Sequence, residues 1–242
     1  MNGIGWFSGG ITSAVAVKIS IESGKDMQIY FFETGQHHPD NIRFIKDCEK
    51  WYGQKIHIVR NKKAGSVKQI LEKGYINSPS GAYCTHQLKK KVRQDLEKLI
   101  DYDFQIFGFE YSPKQIIRAK RFLEQYPEAK GIFPLIEEKK TKLDCFNIVQ
   151  KAGIELPEMY KLGFNNSNCI GCVKGGKGYW NKTRKLFPEI FNQTAALERQ
   201  AGHSCINGTF LDELPTDAGR HEDISLPDCG VICEIEMMGV EK

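Results

Sequence analysis

The stretch IGWFSGGITSAV (residues 4–15) decides how the rest of the chain is read. A short apolar run at 4–7 meets Ser8, Gly9 and Gly10, and a helix-compatible segment containing Thr12 and Ser13 follows. Strand, tight turn and helix in that order make the first half of a β-α-β unit. The glycines let the backbone approach a phosphate closely, and the turn and helix N-terminus aim N–H groups at it. Ser8 and Ser13 can add hydroxyl donors. No Gly-Lys-Ser/Thr follows, so this is not a Walker loop, and the third glycine of the dinucleotide fingerprint is missing. From these residues alone, an anion-binding loop and a plain strand–helix turn both stay open.

The same alternation continues outward. Further strands are expected at 27–33, 55–60, 104–109 and 131–136. Helices are expected at 11–23, 40–52, 66–73, 86–99, 114–125 and 141–152. Strands alternating with helices predict a parallel sheet covered on both faces. In such sheets ligands bind at the carboxyl ends of the strands, where the strand order reverses. Pro39 suits a helix start and Gly53 a helix stop. From about residue 156 the pattern gives way to GFNNSNCIGCVKGGKGYW, one more helical stretch at about 189–201, and a tail. The reading is an α/β core over 1–155 and a cysteine-containing C-terminal region over 156–242, packed on the core.

The 242 residues, 40% of them hydrophobic, suffice for a buried core. No apolar run approaches the ~18 residues of a membrane span, and no secretory leader is evident. A cytoplasmic protein is expected, with no membrane partner. The net charge of +4 permits anionic ligands without demanding nucleic acid. In a reducing compartment, eight cysteines point to metal or redox chemistry rather than structural disulfides.

Cys169 and Cys172 flank a turn containing Gly171, a spacing that lets two thiolates reach one metal. Zinc, an iron–sulfur centre and a redox dithiol all use it. Cys48 and Cys145 fall on helical stretches among apolar residues and read as packing. Basic residues follow three loops: Lys89, Lys90, Lys91 and Arg93; Lys114, Arg118, Lys120 and Arg121; and Lys174, Lys177, Lys182, Arg184 and Lys185. Some of these should meet phosphate or sulfate. Tyr179 and Trp180, beside the last group, would suit base stacking or simple packing. His37 and His38 fall in the loop after the second strand, where acid–base chemistry or plain exposure are both open.

Several segments together resemble a known family. FSGGITSA (7–14) is similar to the pyrophosphate loop of adenine nucleotide α-hydrolases. FFETGQHHPDNIRFIKDCEKWYG (31–53) resembles the second-strand motif of the phosphoadenosine phosphosulfate (PAPS) reductase family. YCTHQLK (83–89) resembles its Cys-Thr-x-x-Leu-Lys segment. Arg118-Ala119, FPL (133–135), residues 153–164 and NCIGC (168–172) fall in the family's order. The resemblance covers about residues 3–190. It implies a Rossmann-like sheet of about five strands with an adenine nucleotide (ATP, adenosine phosphosulfate or PAPS) at the strand ends.

By that resemblance Ser8, Gly9, Gly10, Thr12 and Ser13 hold phosphate or sulfate. Glu33, Thr34 and Gly35 contact the nucleoside, and Lys89 and Arg118 meet the anion. Cys84 joins Cys169 and Cys172 around a [4Fe–4S] cluster, with zinc as the alternative; Cys205 is the expected fourth ligand. Cys229, in DCGVICE (228–234), matches the reductases' catalytic cysteine, without their following histidine. Two reactions are implied. In one, the Cys229 thiolate reduces a sulfonucleotide with help from a thioredoxin-like reductant. In the other, ATP with magnesium adenylates an acceptor such as a nucleic acid, which then takes sulfur from a donor. Thr12 stands where ATP-cleaving members carry Asp, which favours the first; Ser13, the Cys-Thr-x-x-Leu-Lys segment and the missing terminal histidine favour the second. A non-catalytic, metal-stabilised nucleotide or nucleic-acid binder is the third reading.

Overall fold

A computed structural model of the chain describes residues 2–76 and 81–219. Five parallel strands, β1 (Asn2–Phe7), β2 (Asp26–Phe32), β3 (Ile56–Val59), β4 (Phe104–Phe107) and β5 (Gly131–Ile132), form one sheet in the order β3-β2-β1-β4-β5. The chain steps outward from β1 to β3 through α1 (Ile11–Glu22) and α2 (Asn41–Tyr52), then returns to the other side of β1. The order therefore reverses between β1 and β4, which opens a crevice at their carboxyl ends.

Side-chain alternation along the strands builds two cores. Phe7, Ile29, Phe31 and Ile106 point to one face and pack against α1, α2 and α8 (Lys142–Lys151), with Tyr160 of α9 (Glu158–Lys161) at its edge. Ile4, Trp6, Tyr30 and Phe107 point to the other, under α5 (Lys91–Glu97) and α6 (Pro113–Gln125). A polar relay threads this second face: Trp6 Nε1 donates to Gln105 Oε1 at 2.6 Å, Gln105 Nε2 to Glu97 Oε1 at 2.7 Å, and Arg93 Nη1 to the same Glu97 oxygen at 2.8 Å. The expected Rossmann-like sheet with helices on both faces is thus present. Cys48 and Cys145 are buried in the first core, where burial pushes both thiols up to about 12.

A third core holds the C-terminal region. Residues from α3 (Val67–Glu72) and Leu88 pack with Cys169, Val173, Trp180 of α10 (Lys177–Leu186), Phe191 and Ala195 of α11 (Pro188–Ala201), and Cys205. No helix among the described residues is long and apolar enough to cross a membrane.

Three expectations need correction. The fifth strand stops at Ile132, because Pro134 has no N–H to donate and instead opens a helical turn, α7 (Pro134–Glu137). The helix expected at 86–99 begins earlier, with a short turn, α4 (Tyr83–Thr85), and then a π-helical turn over His86–Lys90 before α5. α10 occupies the glycine-rich stretch read as irregular. It opens on the glycines at 175, 176 and 178, and its buried face sets Asn181 and Thr183, which make side-chain hydrogen bonds, beside Trp180. Asn181 donates to the carbonyls of Pro215 and Ala218, and Arg184 to those of Leu211 and Leu214, fastening the segment 211–218.

Candidate active site

The loop between β1 and α1 is shaped by its own residues. Gly9 turns at φ +79°, and a Cβ there would come within 2.9 Å of Asn41 Nδ2. The buried Ser13 hydroxyl donates to the Gly10 carbonyl at 2.8 Å and accepts from the Ser8 amide at 2.9 Å. Ser8 Oγ lies 2.9 Å from Ser13 Oγ, and since the Ser13 proton is already given to Gly10, Ser8 is the donor. Ser13 therefore holds the loop, while Ser8 is the exposed hydroxyl and Thr12 is half-buried. No side chain caps α1 at Gly10 and no acid occupies its first turn, which leaves the helix end electropositive.

Two residues that the sequence reading passed over complete this corner. Tyr160 Oη accepts the Ile11 amide at 3.4 Å, from across the α8–α9 side. Gly108, just after β4, lies against the first turn of α1: a Cβ on it would stand 2.4 Å from Ser13 Cα and 2.6 Å from Ser13 N. A glycine immediately after a strand was the available signal.

The end of β2 supplies the next wall. Glu33 Oε1 accepts the Gly35 amide at 2.5 Å, and the buried Thr34 hydroxyl shares a 3.0 Å hydrogen bond with Cys169 Sγ. The nucleoside-side segment and the Cys-x-x-Cys turn are thereby in direct contact, reinforced by the Ile170 amide donating to Gln36 O at 2.8 Å. His37 packs on Phe31 and lies 3.1 Å from the Phe32 carbonyl and 3.3 Å from Asn41 Nδ2. The tautomer satisfying both contacts has Nε2 protonated and Nδ1 accepting. Burial and then the nearby Lys89 charge lower its pKa, against the opposing pull of Glu33, so the ring is neutral at pH 7. Ser167 Oγ donates to Asn41 Oδ1 at 3.0 Å, closing the chain of hydrogen bonds behind the loop.

The four cysteines expected as ligands are brought into one neighbourhood from three segments. Cys169 and Cys172 lie on a turn with Gly171 at φ +70° between them. Tyr179 braces that turn, accepting the Cys172 amide and donating to the Cys169 carbonyl, both at 2.9 Å. Cys84 comes from α4. Burial pushes its thiol up, and the charges of Cys172 and Cys169 add to this. Cys205 sits on a loop fixed by the fully buried Glu198, which accepts the Cys205 and Leu211 amides. Burial and that carboxylate push the Cys205 thiol well up, with Cys172 and Cys84 contributing. Burial also raises Cys169, with Lys89 and Thr34 pulling the other way.

All six described cysteines are thiols rather than disulfides. Among the described residues, no three His, Cys, Asp or Glu side chains are gathered as a single-ion site requires. The four thiols are neighbours, not donors already drawn to one point.

Cations line the same crevice. Lys174 follows the Cys-x-x-Cys turn. Burial lowers its pKa; Cys172 and Cys84 oppose this, while Lys89 and Arg118 add to it. Lys174 thus feels the charges of both Lys89 and Arg118. Arg118 lies 4.2 Å over the Phe109 ring with one side in solvent, and burial of its packed side lowers its pKa. Of the two readings of Tyr179 and Trp180, packing holds: Trp180 is fully buried and Tyr179 is committed to the cysteine turn. Cys229 and Cys233 lie outside the described residues.

The strand ends of this α/β fold bring a glycine loop and a Cys-x-x-Cys turn together, and the comparisons with known proteins show the family. Residues 4–177 match the phosphoadenosine phosphosulfate reductase domain. The chain belongs to the PAPS reductase family. Its fold is similar to that of a crystal structure of phosphoadenylyl-sulfate reductase from Candida auris in complex with phosphate, with a TM-score of 0.53 and 15% identity over 70% of this chain and 81% of that one. Two uncharacterized proteins of Methanocaldococcus jannaschii are each 22% identical to it. One match covers 81% of this chain and 47% of the relative, the other 77% and 39%. The chain thus spans less than half the length of these relatives.

Proposed function

We propose that this protein is a sulfonucleotide reductase of the adenosine phosphosulfate or PAPS type. The observation that carries this is the contact between the nucleotide-side Thr34 and Cys169, which puts the thiol neighbourhood against the strand-end crevice that Lys89, Arg118 and Lys174 make cationic. In this reading residues 8–10 and the first turn of α1 bind the phosphate with backbone N–H groups, and Glu33, Thr34 and Gly35 receive the nucleoside. Lys89 and Arg118 neutralise the sulfonate and phosphate charges as the bond between them breaks.

The Cys229 thiolate attacks the sulfonate sulfur. A bond forms between the two sulfurs, the bond from the sulfonate sulfur to the bridging oxygen breaks, and the nucleoside phosphate leaves with that oxygen. A dithiol reductant of the thioredoxin class then attacks Cys229 Sγ. Sulfite departs, a mixed disulfide forms, and the reductant's second thiol resolves it, so that the reductant gives two electrons and Cys229 is restored.

The donor set fits an iron–sulfur group. Cys84, Cys169, Cys172 and Cys205 would hold a [4Fe–4S] cluster, all-thiolate ligation being what such clusters take. When bound, it would supply a redox-active metal centre beside the substrate. Because Cys84, Cys169 and Cys205 have raised thiol pKa values, loading must release protons and should improve as pH rises.

The test is sulfite release from adenosine phosphosulfate and from PAPS by protein purified without oxygen, with thioredoxin and its reductase. Wild type is expected to turn over, and Cys229→Ser to lose at least ~1,000-fold while still binding the nucleotide, as loss of a covalent nucleophile does. Acceptor-dependent AMP and pyrophosphate from ATP, with no sulfite from either sulfonucleotide, would replace this reading with ATP-driven sulfur transfer.

A further inference from the structure

A second concave surface lies beside the crevice and, Glu33 apart, shares no residue with the chemistry above. It is a groove of about 980 Å³ running from Glu33 along the β3 edge, past the loop 60–64, to α4 and α5. Five cations line it: Arg60, Lys62, Lys63, Lys73 and Lys91, against the carboxylates of Glu33 and Asp95. All five are exposed, and none has an ion-pair partner among the described residues. Most surface lysines of a folded chain are scattered among acids. Here they converge from three segments onto one groove.

The groove also holds aromatic faces. Tyr75 and Tyr83 stack on each other with centroids 4.4 Å apart and planes at 27°, yet remain 50% and 40% exposed. His86 extends the stack from Tyr83 at 6.2 Å and 22°. A stacked aromatic pair left this open offers its outer faces to further flat, apolar rings. Unpaired cations along a groove, with an open aromatic platform among them, are what a single-stranded nucleic acid needs: phosphates meet the lysines and bases stack on the tyrosines. A duplex keeps its bases stacked internally and would leave the tyrosines unused. An acidic polypeptide would use the lysines but not the rings.

From this geometry we propose that the groove is a single-stranded nucleic-acid site, with Arg60, Lys62, Lys63, Lys73 and Lys91 tracking the backbone and Tyr75 and Tyr83 receiving bases. One end of the groove is Glu33, so a bound strand runs up to the candidate nucleotide crevice. The site stands independently of whether that crevice reduces a sulfonucleotide.

The test is fluorescence anisotropy with a labelled 12-nucleotide single strand, as DNA and as RNA, over a range of KCl. Binding should weaken with salt at a log–log slope of about −2 to −4, since each phosphate neutralised on a single strand contributes about −0.7. Lys62→Glu/Lys63→Glu should flatten that slope by about 1 to 2. Tyr75→Ala should weaken binding ~10-fold with the slope unchanged, because it removes stacking and no charge. Both sites are exposed, and thermal melting verifies that the variants stay folded. Sulfite release from a small sulfonucleotide by Lys62→Glu/Lys63→Glu should match wild type, which separates failure of the groove from failure of the reductase reading. No binding of either strand, tighter binding of the matching duplex, or competition by polyglutamate at equal charge together with an inert Tyr75→Ala would each overturn the proposal.

Discussion

Replacing Cys169 and Cys172 together by serine is expected to leave the protein folded but stripped of iron, acid-labile sulfide and turnover. Two of the four thiols in the neighbourhood disappear, and a serine hydroxyl does not ionise to replace a thiolate ligand. The fold should survive because serine keeps the side-chain contact to Thr34, and the turn is held by Tyr179 through backbone groups that the substitution leaves intact. Iron and sulfide should fall from about four of each per chain, as a four-iron cluster requires, to nearly none. The check is metal and sulfide analysis of both proteins purified without oxygen, beside their circular dichroism. Full iron retention by the double variant would remove these cysteines from the ligand set, and stoichiometric zinc without sulfide in wild type would replace the cluster by a zinc site.

Gly108→Ala should do the reverse, damaging the nucleotide corner and sparing the thiols. Its Cβ has no room, because Ser13 Cα and N lie at 2.4 and 2.6 Å and are backbone atoms of α1 that cannot rotate aside. Either β4 or the first turn of α1 must shift. A forced shift of this kind in a packed interior costs about 1–3 kcal/mol, which for a chain of this size lowers the melting temperature by roughly 2–12 °C. The same shift breaks the contacts that Ser13 makes to Ser8 and Gly10, so nucleotide affinity should fall at least ~10-fold even at temperatures where the variant is folded. Melting scans and a nucleotide titration read the two effects. Wild-type values in both would show that the corner is not as tightly packed as its geometry states.

How much of this was legible in the chain itself follows from where each signal lies. The first four strands announced themselves through apolar runs joined to amphipathic helices, and the Ser8-Gly9-Gly10 turn announced the β1–α1 loop. The fifth strand misled because FPL reads as apolar continuation, while Pro134 acts through a missing N–H that hydrophobicity does not register. α10 was hidden because it opens on the glycine-rich run at 175–178, which reads as loop, and carries polar Asn181 and Thr183 on its buried face.

Of the site, the individual cysteines and cations could be read from the residues, while their grouping came only from the family resemblance. Cys205 reaches the others only because buried Glu198 ties its loop down, a long-range contact with no local signature. Tyr160, Asn41 and Gly108 act through shape and second-hand hydrogen bonds, which one sequence does not display. Tyr179 and Trp180 are used internally. The open aromatic pair of the fold is Tyr75 and Tyr83, which come together only when α3 and α4 are packed side by side.

The most direct test of the central claim is a calorimetric titration of adenosine phosphosulfate into anaerobically purified Cys229→Ser, which should bind without turning over, with and without Lys89→Ala. The account predicts one saturable site per chain in Cys229→Ser, weakened ~10-fold or more when Lys89 is removed, the range expected for a hydrogen bond to a charged group. No saturable binding, or binding that Lys89→Ala leaves unchanged, would contradict a sulfonucleotide held at the crevice between β1 and β4.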